Sequence, residues 1–229
     1  MNETQHAFLL HSRPYKEHQL IIDLLTKEDG KVSAVISSGH SLKSNKKAIL
    51  QPFSLFSLQL NGRHQLRKAS GLESCHQTYS LVGKQLYSGL YLNELLVRLL
   101  PELVPCPELF RDYQAALGEL NQGVDVELVL RRFEMKVLDE LGIAFNFEQL
   151  NELTTPHVQF VVEQGFCDAN PSIKLPIYEK NHLLAIERSD YSDKHVLTTH
   201  KFLMRQVLNH LLGHKPLKSR ELFKAREIK

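Results

Sequence analysis

Cysteine is scarce: Cys75, Cys106 and Cys167 are the only three in 229 residues. An odd number at wide spacing excludes a closed disulfide framework and fits reduced thiols used for packing in a cytosolic protein. No apolar run long enough to cross a bilayer is free of charge, and the opening MNETQHAFLL lacks the basic and apolar regions of a secretory signal. A cytoplasmic location is expected. Common catalytic motifs are missing too: there is no GxxxxGK(S/T) or GxGxxG phosphate loop, no GxSxG elbow, no HExxH and no CxxC pair. These gaps argue against an ATPase or a zinc hydrolase. The chain reads as non-catalytic and without a cofactor.

What is present is ordinary globular material, 42% hydrophobic and 24% charged. The net charge of +2 conceals a segregation along the chain. Residues 1–80 carry 10 Lys/Arg against 6 Asp/Glu, residues 81–200 carry 10 against 18, and residues 201–229 carry 8 against 2. Two basic ends suit a polyanion, and the acidic middle suits a different partner.

The first 80 residues read as a barrel. AFLLHSR, LIIDLL and KVSAVISSG have strand patterning, and Asp29-Gly30 joins the last two as a hairpin. Asn61-Gly62 likewise joins FSLFSLQL to RHQLRKAS. In FSLFSLQL the apolar parity slips by one residue, which a β-bulge in that strand would absorb. Five short strands match an oligonucleotide-binding (OB) barrel. From residue 81 the apolar period becomes helical. One helix ends at Pro101, a second begins at Pro107, and a third is capped by Asp125 and closed by Gly142. An irregular insertion is expected over about 145–184, where Pro156, Pro171 and Pro176 interrupt short β-like pieces. Helix returns after Asp193, and Ser219 is a candidate cap for a short terminal helix. The expectation is an α+β multidomain chain: a five-stranded OB-type barrel over 1–80, then a helical domain over 81–229 carrying the insertion.

Candidate contacts for a phosphate backbone are Arg13, Lys16, Lys31, Lys43, Lys46, Lys47, Arg63, Arg67 and Lys68 in the barrel, and Lys215, Lys218 and Arg220 near the end. Each neutralised phosphate releases condensed counterions, giving salt-dependent affinity without sequence reading. Tyr15, Phe53 and Phe56 are candidate stacking platforms, although a small barrel also needs Phe53 and Phe56 as filling. His157, Cys167 and His182 fall within the insertion, but their spacing matches no standard zinc site. Arg131 and Arg132 flank the stripe of the third helix, placed either to grip a partner's carboxylate or to pair with Glu127 or Glu134. An RNA-binding barrel, a metal nuclease and a scaffold for acidic proteins are the alternatives.

Five blocks, AFLLHSRPYKEHQLIIDLLTKEDGKV, LQPFSLF, LYSGLYLNELLVRLL with PELFRDY, LRRFEMKVLDELG, and LLGHKPLKSRELF, resemble in order the RecO family of bacterial recombination mediators and strand-annealing proteins. The resemblance implies an OB barrel, a helical domain and an inserted zinc-finger-like module. Many relatives hold zinc there through four cysteines. Cys167 is the only one in this insertion, so a degenerate, metal-free module is implied. It further implies binding of single- and double-stranded DNA, annealing, and loading of RecA with RecR onto DNA covered by single-stranded DNA-binding protein (SSB), in a cytoplasmic, nucleoid-associated setting. The family docks the acidic SSB tail on the helical domain, which singles out Arg131 or Arg132, with Leu90 as an apolar neighbour.

Overall fold

The computed structural model describes residues 4–37, 48–62 and 65–224, the last by its backbone alone. Strands β1 (Thr4–Pro14), β2 (Gln19–Thr26), β3 (Gly30–Ser37), β4 (Ser54–Asn61) and β5 (Leu66–Thr78) close into a barrel in the order β1-β2-β3-β5-β4. The β3–β5 seam is parallel, from Ser33 opposite Leu66 to Val35 opposite Lys68, and the other pairings are antiparallel. That is an OB-type barrel. Its β2–β3 turn sets Thr26 opposite Gly30. Gly30 has φ +68°, and a Cβ there would lie 1.8 Å from the Val104 carbonyl oxygen, so both the turn and the close approach require glycine.

Alternation builds the core: Ser54, Phe56, Leu58 and Leu60 of β4 are buried and the intervening residues are not. The expected bulge in this strand lies instead on its partner. Leu55 faces Gln77 and Phe56 faces Ser74, so β5 takes up the extra residues, with His76 at φ +56°. Phe53 precedes β4 at φ +63° and is buried. A Cβ on Gly89 would come within 2.7 Å of its ring, so the glycine makes room for it.

A second irregularity ties the barrel to helices α1 (Gly83–Leu99) and α2 (Pro107–Asn121). In β1, Leu9 faces Leu24 and His11 faces Asp23, leaving Leu10 without an opposite residue. Asn93 of α1 donates to the carbonyls of Leu9 and Leu10 at 3.3 and 3.1 Å, and the Tyr113 hydroxyl of α2 donates to Asn93 Oδ1 at 2.5 Å. A buried carbonyl left unpaired by a bulge is costly, and this chain satisfies it. Phe8, on the outer face of β1, packs its ring 5.4 Å from Phe110 and 5.2 Å from Tyr113.

The remaining elements are α3 (Val126–Glu140), a 3₁₀ turn (Phe147–Glu152), β6 (His157–Val161), β7 (Gly165–Asp168), β8 (Ile177–Glu179), α4 (Lys180–Glu187), α5 (Lys194–Leu211) and α6 (Ser219–Lys224). The chain forms two compact units, one running to Val126 and resuming at Leu217, the other Glu127–Pro216. The junction at residue 80 therefore falls inside the first unit, between β5 and α1. The stretch 145–184 is not irregular, as expected from its prolines, but holds a three-stranded sheet in the order β7-β6-β8. Phe145, Phe147, Phe160 and Phe166 form its aromatic core, with centroids 5.0–5.9 Å apart. Buried Gln159 accepts from Asn170 N–H at 2.9 Å and donates to the carbonyls of Ile173 and Leu175, which fastens the proline-bearing loop to β6.

Candidate nucleic-acid interface

Lys43, Lys46, Lys47 and Arg63 lie outside the described residues. The other barrel cations divide sharply. Lys31 on β3 is half-buried and donates from Nζ to the Val97 carbonyl at 2.9 Å. Burial lowers its pKa against the opposing pull of Glu102 and Asp23. Arg67 on β5 is 17% exposed and pairs with Asp29, which also accepts from Gln5 at 2.6 Å. Neither residue offers a surface charge, and both act as ties within the first unit.

Arg13 is half-exposed and donates to Asp23 at 3.1 Å. Asp23 is only 8% exposed and also accepts from Ser33 at 2.7 Å, with His11 at 3.5 Å. The hairpin register places Asp23 opposite both His11 and Ser33. The Asp29-Gly30 turn does not reveal that hub by itself, because the three-residue loop that pairs Asp23 with Ser33 and the β1 irregularity that brings His11 opposite it appear only in the fold. Lys16 and Lys68 are exposed. Lys16 stands in the β1–β2 turn with its ammonium 5.5 Å from the centroid of Tyr15, itself 45% exposed. Tyr15 N–H and Gln19 N–H close that turn on Gln19 O and Lys16 O, both at 3.0 Å. Phe53 and Phe56 are filling rather than platforms, at 4% and 0% exposure. Tyr15 is left as the exposed aromatic of the three.

The basic carboxyl-terminal segment is split between the units. Lys215 is exposed in the second, while Lys218 and Arg220 belong to the first. The Arg220 guanidinium lies 5.8 Å over the Tyr91 ring. Ser219 does not cap α6 as expected. Its hydroxyl donates to Glu94 Oε2 at 2.6 Å, and Glu94 also accepts the N–H groups of Lys218 and Ser219. Nothing local in the sequence signals that partner.

Leu90 is half-buried on α1, in the first unit, and the two candidate arginines are in the second. Arg131 is buried and bound to Glu134 at 2.7 Å, so the expected pairing with Glu134 exists but is internal. Glu127 pairs with Lys201. Arg132 is exposed. His157 faces Glu179 at 3.3 Å, Cys167 lies 3.7 Å from the Gln159 carbonyl, and His182 contacts Thr199 at 3.0 Å. Among the described residues no group of three or more His, Cys, Asp or Glu is placed to hold a metal ion, and no helix is long and apolar enough to cross a membrane.

A closed five-stranded barrel with a parallel seam and exposed cations on a turn and a strand defines an oligonucleotide-binding-fold protein. Comparison with known proteins narrows the class. The family models for Recombination protein O N terminal and C terminal match residues 1–78 and 82–165. DNA repair protein RecO of Cellvibrio japonicus is 38% identical over 232 residues, covering 96% of each chain. The protein of that name from Coxiella burnetii is 39% identical over 94% of this chain and 95% of its own. That of Psychromonas ingrahamii is 36% identical over 98% and 99%. The chain belongs to the RecO family of DNA repair and recombination proteins.

Proposed function

We propose that this protein is a non-catalytic, cytoplasmic recombination mediator that binds single- and double-stranded DNA, anneals complementary strands, and with RecR helps load RecA onto SSB-coated DNA. The observation that carries the reading is the OB barrel with Lys16 and Tyr15 exposed together at a closed hairpin turn. A cation for phosphate beside a ring for a base is the elementary unit of single-strand binding. Lys68 and the half-exposed Arg13 extend the charge over the same barrel. Annealing then needs no bond chemistry: two like-charged strands repel, and a cationic surface lowers the cost of holding both.

The mediator role needs a grip on SSB as well as on DNA. Arg132, exposed on α3, is the candidate for the acidic SSB tail, since a guanidinium can take a carboxylate in two parallel hydrogen bonds, whereas Arg131 is buried against Glu134. Two weak contacts on one molecule act at high effective concentration. The test is annealing of SSB-coated complementary strands without nucleotide. Annealing faster than in a protein-free control supports the reading, and the protein-free rate refutes it.

A further inference from the structure

Helix α5 carries its charge, and one aromatic ring, on the side turned away from the core. Leu203, Met204 and Leu208 are buried on the other side, together with His200. His200 adds no charge there near pH 7, because burial, with the Arg131 charge added, pushes its imidazole down to about 3. Along the outer side Lys194, Thr198, Phe202, Arg205 and Asn209 are exposed and recur at helical spacing. Phe202 is 51% exposed on a helix that buries its neighbours Leu203 and Met204. Arg205 follows one turn later, about 4.5 Å along the axis. Unlike Lys201, which pairs with Glu127, Arg205 forms no ion pair among the described residues.

Charge along the chain sets this face apart from the rest of its unit. Every carboxylate side chain of the second unit lies at or before Asp193, and the next one is Glu221, in the first unit. Asp193 itself caps the start of α5, accepting the His195 N–H at 2.8 Å. Beyond it the fixed charges as far as residue 216 are Lys194, Lys201, Arg205 and Lys215, all positive. The outer face from Lys194 to Asn209 is about 22 Å long, room for a stretch of strand and not merely one nucleotide. An acidic peptide would need the cations alone. A solvent-facing ring among them is what a nucleobase uses, since every base has a π-face to stack and the guanidinium neutralises a phosphate beside it.

We propose that the outer face of α5, centred on Phe202 and Arg205, is a second single-strand contact, which holds the complementary strand while the barrel holds the first. Each unit then carries an exposed ring with an exposed cation near it in sequence, Tyr15 with Lys16 in one and Phe202 with Arg205 in the other. Annealing joins two strands, and a chain with one strand contact could pair them only by meeting a second copy. Two contacts on one chain remove that requirement and raise the effective concentration of one strand for the other. The inference rests on the annealing role proposed above.

The test compares the full-length wild type with Phe202→Ala, Phe202→Tyr and Arg205→Ala, all at exposed positions, so thermal unfolding should stay unchanged. Two readouts are taken: annealing of bare complementary strands, and photocrosslinking of an iodouracil-bearing oligonucleotide, which couples to a ring stacked on the base. The expected result is a crosslink at Phe202, with annealing about tenfold slower in Phe202→Ala and about fivefold slower in Arg205→Ala. Phe202→Tyr keeps the ring and should anneal within about twofold of wild type. An absent crosslink at Phe202, or Ala variants that anneal within about twofold of wild type, overturns this inference and leaves the annealing role standing. Slowing confined to SSB-coated strands would give the face to a protein partner and overturns it equally. Wild type that fails to anneal bare strands overturns the annealing role, and this inference with it.

Discussion

Glu94 on α1 accepts three hydrogen bonds from the start of α6, two from Ser219 and one from the Lys218 N–H, across 125 residues of sequence. The first N–H groups of a helix have no partner within it, and here a carboxylate from another helix supplies one where negative charge is also favoured. Leu217 just before it is 1% exposed, and Phe223 meets Tyr87 edge-on at 5.9 Å. Together these contacts hold the basic terminal segment on the barrel's own unit.

Replacing Glu94 with Ala should therefore release α6 while leaving the barrel folded. Burial by itself would raise the Glu94 pKa, but the hydrogen bonds from Ser219 and Lys218, with Arg98 nearby, outweigh it and leave the carboxyl below its ordinary value. A lowered folded pKa means stabilisation that is complete above the unfolded value of about 4.3 and fades as the pH falls through the folded one. Hydrogen exchange of residues 217–224 should lose protection in Glu94→Ala at pH 7, and in the wild type only at acid pH.

His200 predicts acid sensitivity of opposite origin. Its folded pKa of about 3 lies below the unfolded value of about 6.5, so between these the unfolded chain binds the extra proton and stability falls as pH falls. The slope attributable to this one group is up to about 1.4 kcal/mol per pH unit. Urea unfolding from pH 7 to 4 should show that slope in the wild type and a shallower one in His200→Gln. Parallel curves would place the acid sensitivity elsewhere.

The aromatic core of the second unit makes its own prediction. Phe166 is 4% exposed and touches Phe145, Phe147 and Phe160. Phe166→Ala should cost about 3 kcal/mol by combined loss of transfer energy and creation of a cavity. Denaturant titration measures it, and a cost below about 1 kcal/mol would mean the sheet does not depend on this cluster.

DNA binding should separate the barrel cations. Lys16→Ala and Lys68→Ala should each reduce the slope of log affinity against log salt by about 0.7 on single strands, with unfolding unchanged. Lys31→Ala should leave that slope alone and lower stability, because it abandons the Val97 carbonyl. The opposite pattern would mean that burial is a poor guide to which lysines meet phosphate.

Much of the barrel was legible from local signals. Asp29-Gly30 and Asn61-Gly62 mark two hairpin connections, and Gly30 and Gly62 have the positive φ such turns demand, +68° and +105°, but neither dipeptide sets the register: Thr26 faces Gly30 and Asn61 faces Lys68. The bulge was misplaced for a reason of the same kind. The parity slip between Leu55 and Phe56 does coincide with a break in register, but the extra residues lie on β5, where His76 turns left-handed. The insertion was misread because prolines were weighed above its four phenylalanines, which lie too far apart in sequence to look like one core.

The sequence by itself determined the barrel strands, the principal helices and the excess of positive charge at both ends, since each follows from periodicity, turn chemistry or counting. Tertiary structure alone decided which charges face outward. Arg67 and Lys68 are neighbours on β5, yet alternation turns one toward Asp29 and the other to solvent. Arg131 and Arg132 are neighbours on α3, and a helical step buries one against Glu134 and exposes the other. Which basic residues reach solvent is set by burial and by the carboxylates and carbonyls that the fold brings beside them, some of them, like Asp29 for Arg67, from a distant turn.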